Sequence, residues 1–493
     1  MRNIAEVKIG VIVVSRDCFP VELAQKRRGK VVEECSKKQI PVTKLETVIE
    51  HEEDTLKALD EIKAKDINAL VIYLGNFGPE GPLTMLAQTF AGPVMLCAAA
   101  EETQDNLFDG RGDAYCGMLN ASYSLNLRKV NAHIPEYPVG IAPEIANMIK
   151  DFIPVARVII SLKNLKLFSF GPRPEDFLVC NAPIKPLFDL GVEIMENSEL
   201  DLYDIFLKSA DDPAVDTVAK EMAAELMEGN TYPELLKKLA QYEVALTKFY
   251  EDNLGASEFG VFANKCWPAF ESYFGFVPCF VNSRLASKGI PVACEVDIYG
   301  ALSEYIATAA TELPVTLLDI NNNVPYDMFE GAKATTKNYK LSDLFIGFHC
   351  GNTPSSCMIM PSLRYQLIMK RLLEGEREPD ITRGTLEGRI KPGELTILRL
   401  QSTADVQLKA YVAEGEILDI DPKSFGGIGV FAIPEMGRFY RRVLLEKQFP
   451  HHTVVAFRHV GKTVFNVFRM LGVKDISFNL PKGAYYEGEN PFL

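Results

Sequence analysis

The chain reads as an α/β protein with two doubly wound parallel-sheet domains in its first 310 residues and a third domain after them. Three observations lead there. Apolar, β-branched runs of strand length alternate with stretches of helical periodicity, the pattern of βαβ units and a parallel sheet covered on both faces. The length, 493 residues, corresponds to about three domains at roughly 150 residues each. With 47% hydrophobic and 24% charged residues, the composition is that of a globular protein able to bury several packed layers. The expected divisions are 1–162, 163–310 and 311–493.

Residues 8–15 (KIGVIVVS) predict the first strand and residues 21–38 the helix that follows it. A second strand is expected over 40–46, an amphipathic helix over 53–65, and a buried strand over 68–74 (NALVIYL). That strand ends at Gly75-Asn76-Phe77-Gly78, before a helix over 82–90 and a strand over 93–97. Ligands of parallel sheets sit beyond the carboxyl ends of the strands, so the loop 75–81, with Asn76, is a candidate binding loop. An ordinary βα turn explains the same residues. In the middle third, 156–161 and 165–168 read as strands, 171–176 as a turn, and 192–206 as a renewed strand–helix alternation. Residues 213–254 read as two helices broken near Gly229 and Pro233.

The charge balance narrows the partners. Fifty-two basic against 66 acidic residues give a net charge of −14, which disfavours nucleic acid and anionic membrane surfaces. No apolar run reaches the roughly 18 residues of a membrane span, and the N-terminus lacks the shape of a signal peptide. The ten cysteines include no C-x-x-C pair and read as scattered thiols of a cytoplasmic protein. No G-x-G-x-x-G follows the first strand and no P-loop occurs, so a nucleotide site lacks its phosphate-cradling glycines.

Three segments share one layout. Residues 290–294 (IPVAC) end at Glu295, residues 314–318 (PVTLL) at Asp319, and residues 343–348 (DLFIGF) at His349. Each sets an ionisable side chain just past a buried strand, where α/β proteins assemble sites. His451-His452 precede a fourth run, 453–457. Four of the six histidines lie downstream of the two carboxylates. Carboxylates plus imidazoles suit a divalent ion such as Mn²⁺, with Co²⁺ or Mg²⁺ also possible. The plainer readings are a helix-dipole role for Glu295, a hydrogen-bonded core position for His349 and a solvated turn for His451-His452.

At these residues the sequence resembles a known family. The segment 264–302, above all Cys-Glu-Val-Asp-Ile-Tyr-Gly at 294–300, is similar to L-fucose isomerases. Residues 383–400 resemble the C-terminal domain shared by L-fucose and L-arabinose isomerases, and HHTVV at 451–455 resembles the arabinose-isomerase histidine motif. The resemblance implies a C-terminal domain with a β-barrel-like antiparallel sheet, which fits the apolar runs and turn signals of 394–419. It implies a Mn²⁺-dependent aldose–ketose isomerase of a fucose- or arabinose-type monosaccharide, working through an enediolate. It also implies a trimer or hexamer in which the first domain of one subunit helps close the next subunit's site. By the resemblance Glu295, Asp319 and His452 are metal ligands. His349 matches an additional ligand of the arabinose isomerases, and His451 is the alternative if the pair slips by one.

In such a reaction carboxylates on either side of C1–C2 serve as base and acid, roles that fall to Glu295 and Asp319. Trp267 and Arg284 are expected to line the sugar pocket, the ring against C–H groups and the guanidinium on hydroxyls. The rival readings are a non-catalytic sugar-binding or regulatory protein of the same fold and a metal-dependent hydrolase or aldolase.

Overall fold

The computed structural model describes residues 3–108, 110–180 and 182–492. It divides into two compact units: Ala5–Ser161 with Asn466–Gly472, and Leu162–Phe465 with Met1–Ile4 and Val473–Leu493.

The first unit carries a five-stranded sheet of β1 (Ile9–Val14), β2 (Val42–Ile49), β3 (Ala69–Leu74), β4 (Val94–Ala99) and β5 (Val139–Gly140). The order is β2-β1-β3-β4-β5 and every pairing is parallel. The strands β1, β3 and β4 are buried throughout, as their unbroken apolar runs require of a sheet covered on both faces. The strand order reverses between β1 and β3, so the loops after these two strands flank a switch-point crevice.

One expected strand is absent. Residues 156–161 form the last turns of a helix, Ala142–Lys163, that runs through Pro154. Its buried residues Ile145, Ile149, Phe152, Ala156 and Ile159 recur at helical spacing. The run VARVIIS is β-branched but buried, and a short apolar run does not separate strand from buried helix.

The second unit opens with a parallel sheet of β6 (Leu165–Phe170), β7 (Glu193–Asn197), β8 (Phe259–Ala263) and β9 (Val292–Ala293), ordered β7-β6-β8-β9. Its third part contains β10 (Val315–Asn323), β11 (Leu344–His349), β12 (Met358–Tyr365), β13 (Arg383–Ile390), β14 (Gly393–Ser402), β15 (Leu408–Leu418), β16 (Gly427–Ala432), β17 (His452–Ala456) and β18 (Asp475–Phe478). Six of these strands close on themselves in the cycle β16-β11-β10-β17-β14-β15, and all six pairings are antiparallel. Closure removes the exposed edges that an open sheet would leave. Leu318, Phe345, Leu395, Ile397, Tyr411 and Phe431 belong to one buried cluster within it. The helix Ile298–Thr311 is buried on nearly every side and packs against β8, β10, β14 and β17. It ties the parallel sheet to the barrel, and its N-terminus leads back to the end of β9.

Candidate active site and metal centre

Glu295 follows β9 by two residues. The chain turns sharply there, with Glu295 at φ 61° and Val296 at φ 54°. Two consecutive left-handed residues, one of them β-branched, are a costly backbone that persists where surrounding structure holds it, often at functional sites. Glu295 does not cap the next helix; Asp297 does, accepting from Gly300 N at 2.8 Å.

The barrel supplies the other groups from three adjacent strands. Asp319 lies within β10, not past its end as the sequence layout implied, because the strand runs on to Asn323. It pairs across the sheet with His452, the first residue of β17, and with Phe348, which precedes His349 at the end of β11. The antiparallel register thus gathers groups more than a hundred residues apart. His452 Nε2 lies 3.2 Å from Glu295 Oε2 and 3.5 Å from Asp319 Oδ1. His451 Nε2 lies 3.6 Å from the same Asp319 oxygen. The His349 and His452 rings are 6.0 Å apart between centroids.

These atoms fit a divalent ion. Glu295 Oε2, Asp319 Oδ1 and His452 Nε2 are buried and each lacks a hydrogen-bond partner. Each of the two orphaned carboxylate oxygens faces the orphaned His452 Nε2, so the three expected ligands meet around that imidazole nitrogen. Ligands about 2.1 Å from a common ion lie roughly 3 Å from one another, near the two carboxylate-to-imidazole separations at His452 Nε2. His349 groups with Glu295 and His452, and His451 with Asp319 and His452.

The imidazole hydrogen bonds assign different roles. His452 Nδ1 lies 2.8 Å from Asp297 Oδ2. A proton on Nδ1 satisfies that carboxylate and leaves the Nε2 lone pair free to ligate. His349 Nδ1 instead accepts from Cys350 N at 2.9 Å, so a neutral His349 carries its proton on Nε2 and acts as a donor. Asp297 is buried and saturated: Arg399 meets its two oxygens at 2.5 and 2.8 Å. Cys180 Sγ lies 3.9 Å from His452 Nδ1, on the Asp297 side. Cys180, Asp297 and His452 also form a potential ligand set, but the Arg399 charge already occupies Asp297.

The electrostatics follow from this packing. Burial opposes charge on Asp297, but Arg399 and His452 outweigh it and hold the carboxyl far below its ordinary range. Burial also opposes charge on Glu295; the His452 imidazole close by, with His349 and His451 behind it, outweighs burial and keeps the pKa below the ordinary value. His452 is raised well above the usual imidazole range, since Asp297, Cys180 and Glu295 overcome its burial. His349 and His451 are lowered, chiefly by burial.

Residues 10–163 match the family described as fucose/sulfoquinovose isomerase, N-terminal domain, and residues 347–477 match L-fucose isomerase, C-terminal domain. Together they take in more than half of the chain. The chain belongs to the fucose isomerase family. It is therefore an aldose–ketose isomerase, an intramolecular oxidoreductase. A sulfoquinovose isomerase of Priestia megaterium is 23% identical over 480 residues, 94% of this chain and 97% of the relative. One from a Clostridium sp. is 25% identical over 401 residues, covering 78% of this chain and 81% of the relative. One from Alkalicoccus urumqiensis is 26% identical over 329 residues, 65% of each chain.

Within this fucose isomerase family member, Trp267 is half-buried beside the centre. Phe177 packs edge-on to Trp267 at 6.1 Å and to His451 at 5.4 Å, and lies 6.3 Å from His452. Arg284 is not brought to this group. It is buried against Glu243 at 2.6 Å and Glu221 at 3.1 Å and also pairs with Glu225, so its donors are committed to carboxylates. Asn76 is described within the first unit, at its switch-point crevice. It is buried, accepts from Arg16 N at 3.0 Å and donates to Ser15 Oγ at 2.8 Å. Sequence reading missed Phe177, Cys180, Asp297 and Arg399. Two of them carried a signal: Asp297 stands where a helix cap belongs, and Arg399 interrupts an apolar strand.

Proposed function

We propose that the chain is a divalent-metal-dependent isomerase that interconverts a six-carbon aldose and ketose through an enediolate. The observation that carries this reading is a set of three orphaned buried atoms about one imidazole: Glu295 Oε2 and Asp319 Oδ1 lie 3.2 and 3.5 Å from His452 Nε2. Glu295, Asp319 and His452 would hold the ion, with Mn²⁺ the expected choice for a set of two carboxylates and an imidazole. When bound, the ion supplies Lewis-acid polarisation of the sugar's two adjacent oxygens. The Glu295 carboxylate takes the carbon-bound proton, and the Asp319 carboxylate works on the other side of the C1–C2 bond. His349, protonated on Nε2, donates to a sugar oxygen. Asp297 fixes the His452 ring, and Trp267 and Phe177 give the sugar an apolar wall.

The named relatives point to sulfoquinovose as the substrate to try first. This is a glucose whose C6 hydroxyl is replaced by a sulfonate. The test is to strip the protein with chelator, add back Mn²⁺ and follow sulfoquinovose by NMR. Metal-dependent appearance of a ketose of unchanged mass supports the reading. Fragmentation, hydrolysis or inertness towards every aldose tried would contradict it. No helix among the described residues is long and apolar enough to cross a membrane.

A further inference from the structure

One arginine on the loop that leads to Phe177 has no partner. Arg173 lies on the loop between β6 and β7, four residues before Phe177, the ring that packs on His451 and Trp267. It is half-buried, and its Nε is sealed from solvent without an acceptor. Among the described residues, no hydrogen bond, ion pair or aromatic ring engages it. A guanidinium whose Nε is sealed from solvent without an acceptor is destabilising unless a ligand supplies one. Arg284, Arg399 and Arg438 show the usual alternative, each tied to carboxylates.

The loop that carries Arg173 is braced. Gly171 N donates to Asn197 O at 2.6 Å, and Phe177 N donates to Pro174 O at 2.9 Å. From beneath, buried Lys265 donates to Pro172 O at 3.1 Å and pairs with Glu199 at 3.0 Å. The acidic residues of the loop, Glu175 and Asp176, are exposed. Two cations therefore lie at the carboxyl ends of β6 and β8, with Glu199 balancing only Lys265.

Sheet geometry gives the length of ligand. β9, which leads to Glu295, pairs with β8, and β8 pairs with β6. At about 4.8 Å per strand, the β6 loop starts roughly 10 Å from the metal-side loop, and an arginine side chain reaches back part of that distance. Carbon–carbon bonds of about 1.5 Å make a hexose roughly 5 to 7 Å long from C2 to a C6 substituent. A sugar with C1 and C2 at the metal centre and its ring against Phe177 and Trp267 would set its C6 group by Arg173.

The geometry points to Arg173, supported by Lys265, as an anion subsite that reads a sulfonate or phosphate on C6 of the sugar. The inference rests on the isomerase reading of the centre and names the substrate class that the centre takes. Planar bidentate recognition of such an oxyanion is the task for which a guanidinium is suited.

The experiment is calorimetric binding to the Mn²⁺-loaded full chain, alongside turnover. Three probes share one skeleton: sulfoquinovose, glucose 6-phosphate and neutral 6-deoxyglucose. The wild type is expected to bind at least one anionic sugar about 10- to 100-fold more tightly than the neutral one. In Arg173→Gln that preference should collapse towards unity, and the preferred anion tells sulfonate from phosphate. Thermal unfolding of Arg173→Gln should match or exceed the wild type, since an unmatched buried donor is lost. A wild type that binds the three probes within about threefold, or a preference that survives Arg173→Gln, overturns the subsite. Selective anion binding without any turnover would instead sink the isomerase reading and leave the subsite standing.

Discussion

Replacing Asp297 with Asn separates the two tasks assigned to this carboxylate. Asp297 accepts twice from Arg399, at 2.5 and 2.8 Å, once from Gly300 N at 2.8 Å, and meets His452 Nδ1 at 2.8 Å. The amide keeps the volume but leaves Arg399 as an uncompensated buried charge, whose remaining side-chain partner is Gln401. Breaking a buried pair in this way costs about 3 to 5 kcal/mol of stability. The amide can also turn its NH₂ towards His452, which removes the anchor for the Nδ1 proton. Loss of such an outer partner lowers metal affinity by about 10- to 100-fold. Urea unfolding measures the first effect and titration of chelator-stripped protein with Mn²⁺ the second. Adding Arg399→Met removes the stranded charge, so the double variant should regain much of the stability while metal affinity stays low. Mn²⁺ affinity within twofold of the wild type in Asp297→Asn would refute the positioning role.

Two further predictions follow from burial. Arg284→Met strands Glu243, which keeps Lys288 as its ion partner but loses the arginine, and should destabilise the fold by roughly 3 kcal/mol. Its KM for sugar should stay unchanged, and a large rise in KM would restore Arg284 to the pocket. Glu271 is buried with both carboxylate oxygens lacking partners, and burial pushes its pKa up to about 7. The folded state then keeps a proton that the unfolded chain has released. Stability should fall as pH rises from the ordinary carboxylate value towards 7, by roughly 3 kcal/mol in total, and level off above that. Unfolding measured at pH 5 and pH 8 should show this loss in the wild type but not in Glu271→Gln; equal losses in both would assign the drop to other groups.

The parallel sheets were legible because they are written locally. A strand buried on both faces needs an unbroken apolar run, as in β1, β3 and β4. Where local pattern is ambiguous, reading failed: the apolar run at 156–161 serves a buried helix as well as a strand. The barrel was reached through resemblance, because closure depends on pairings such as β15 with β16 that leave no local mark. The centre shows the same division. Glu295, Asp319, His349 and His452 stood out as ionisable residues at apolar runs, but the register that joins Asp319 to His452 is a property of the folded sheet. Arg284 was expected at the sugar because its charge looked available in the sequence, whereas in three dimensions Glu221, Glu225 and Glu243 pair with it. Phe177 had no distinguishing pattern in its loop and became visible only through its rings' neighbours.

The central claim, proton transfer by Glu295 at a metal-dependent centre, is tested most directly in deuterated water. Mn²⁺-loaded wild type and Glu295→Gln are incubated with sulfoquinovose, and deuterium is measured at the carbon next to the carbonyl. The wild type is expected to incorporate deuterium only while metal is bound, and Glu295→Gln at least 100-fold more slowly although sugar still binds. Incorporation at the wild-type rate in Glu295→Gln, or ketose formed with no solvent deuterium by an internal hydride shift, would contradict it.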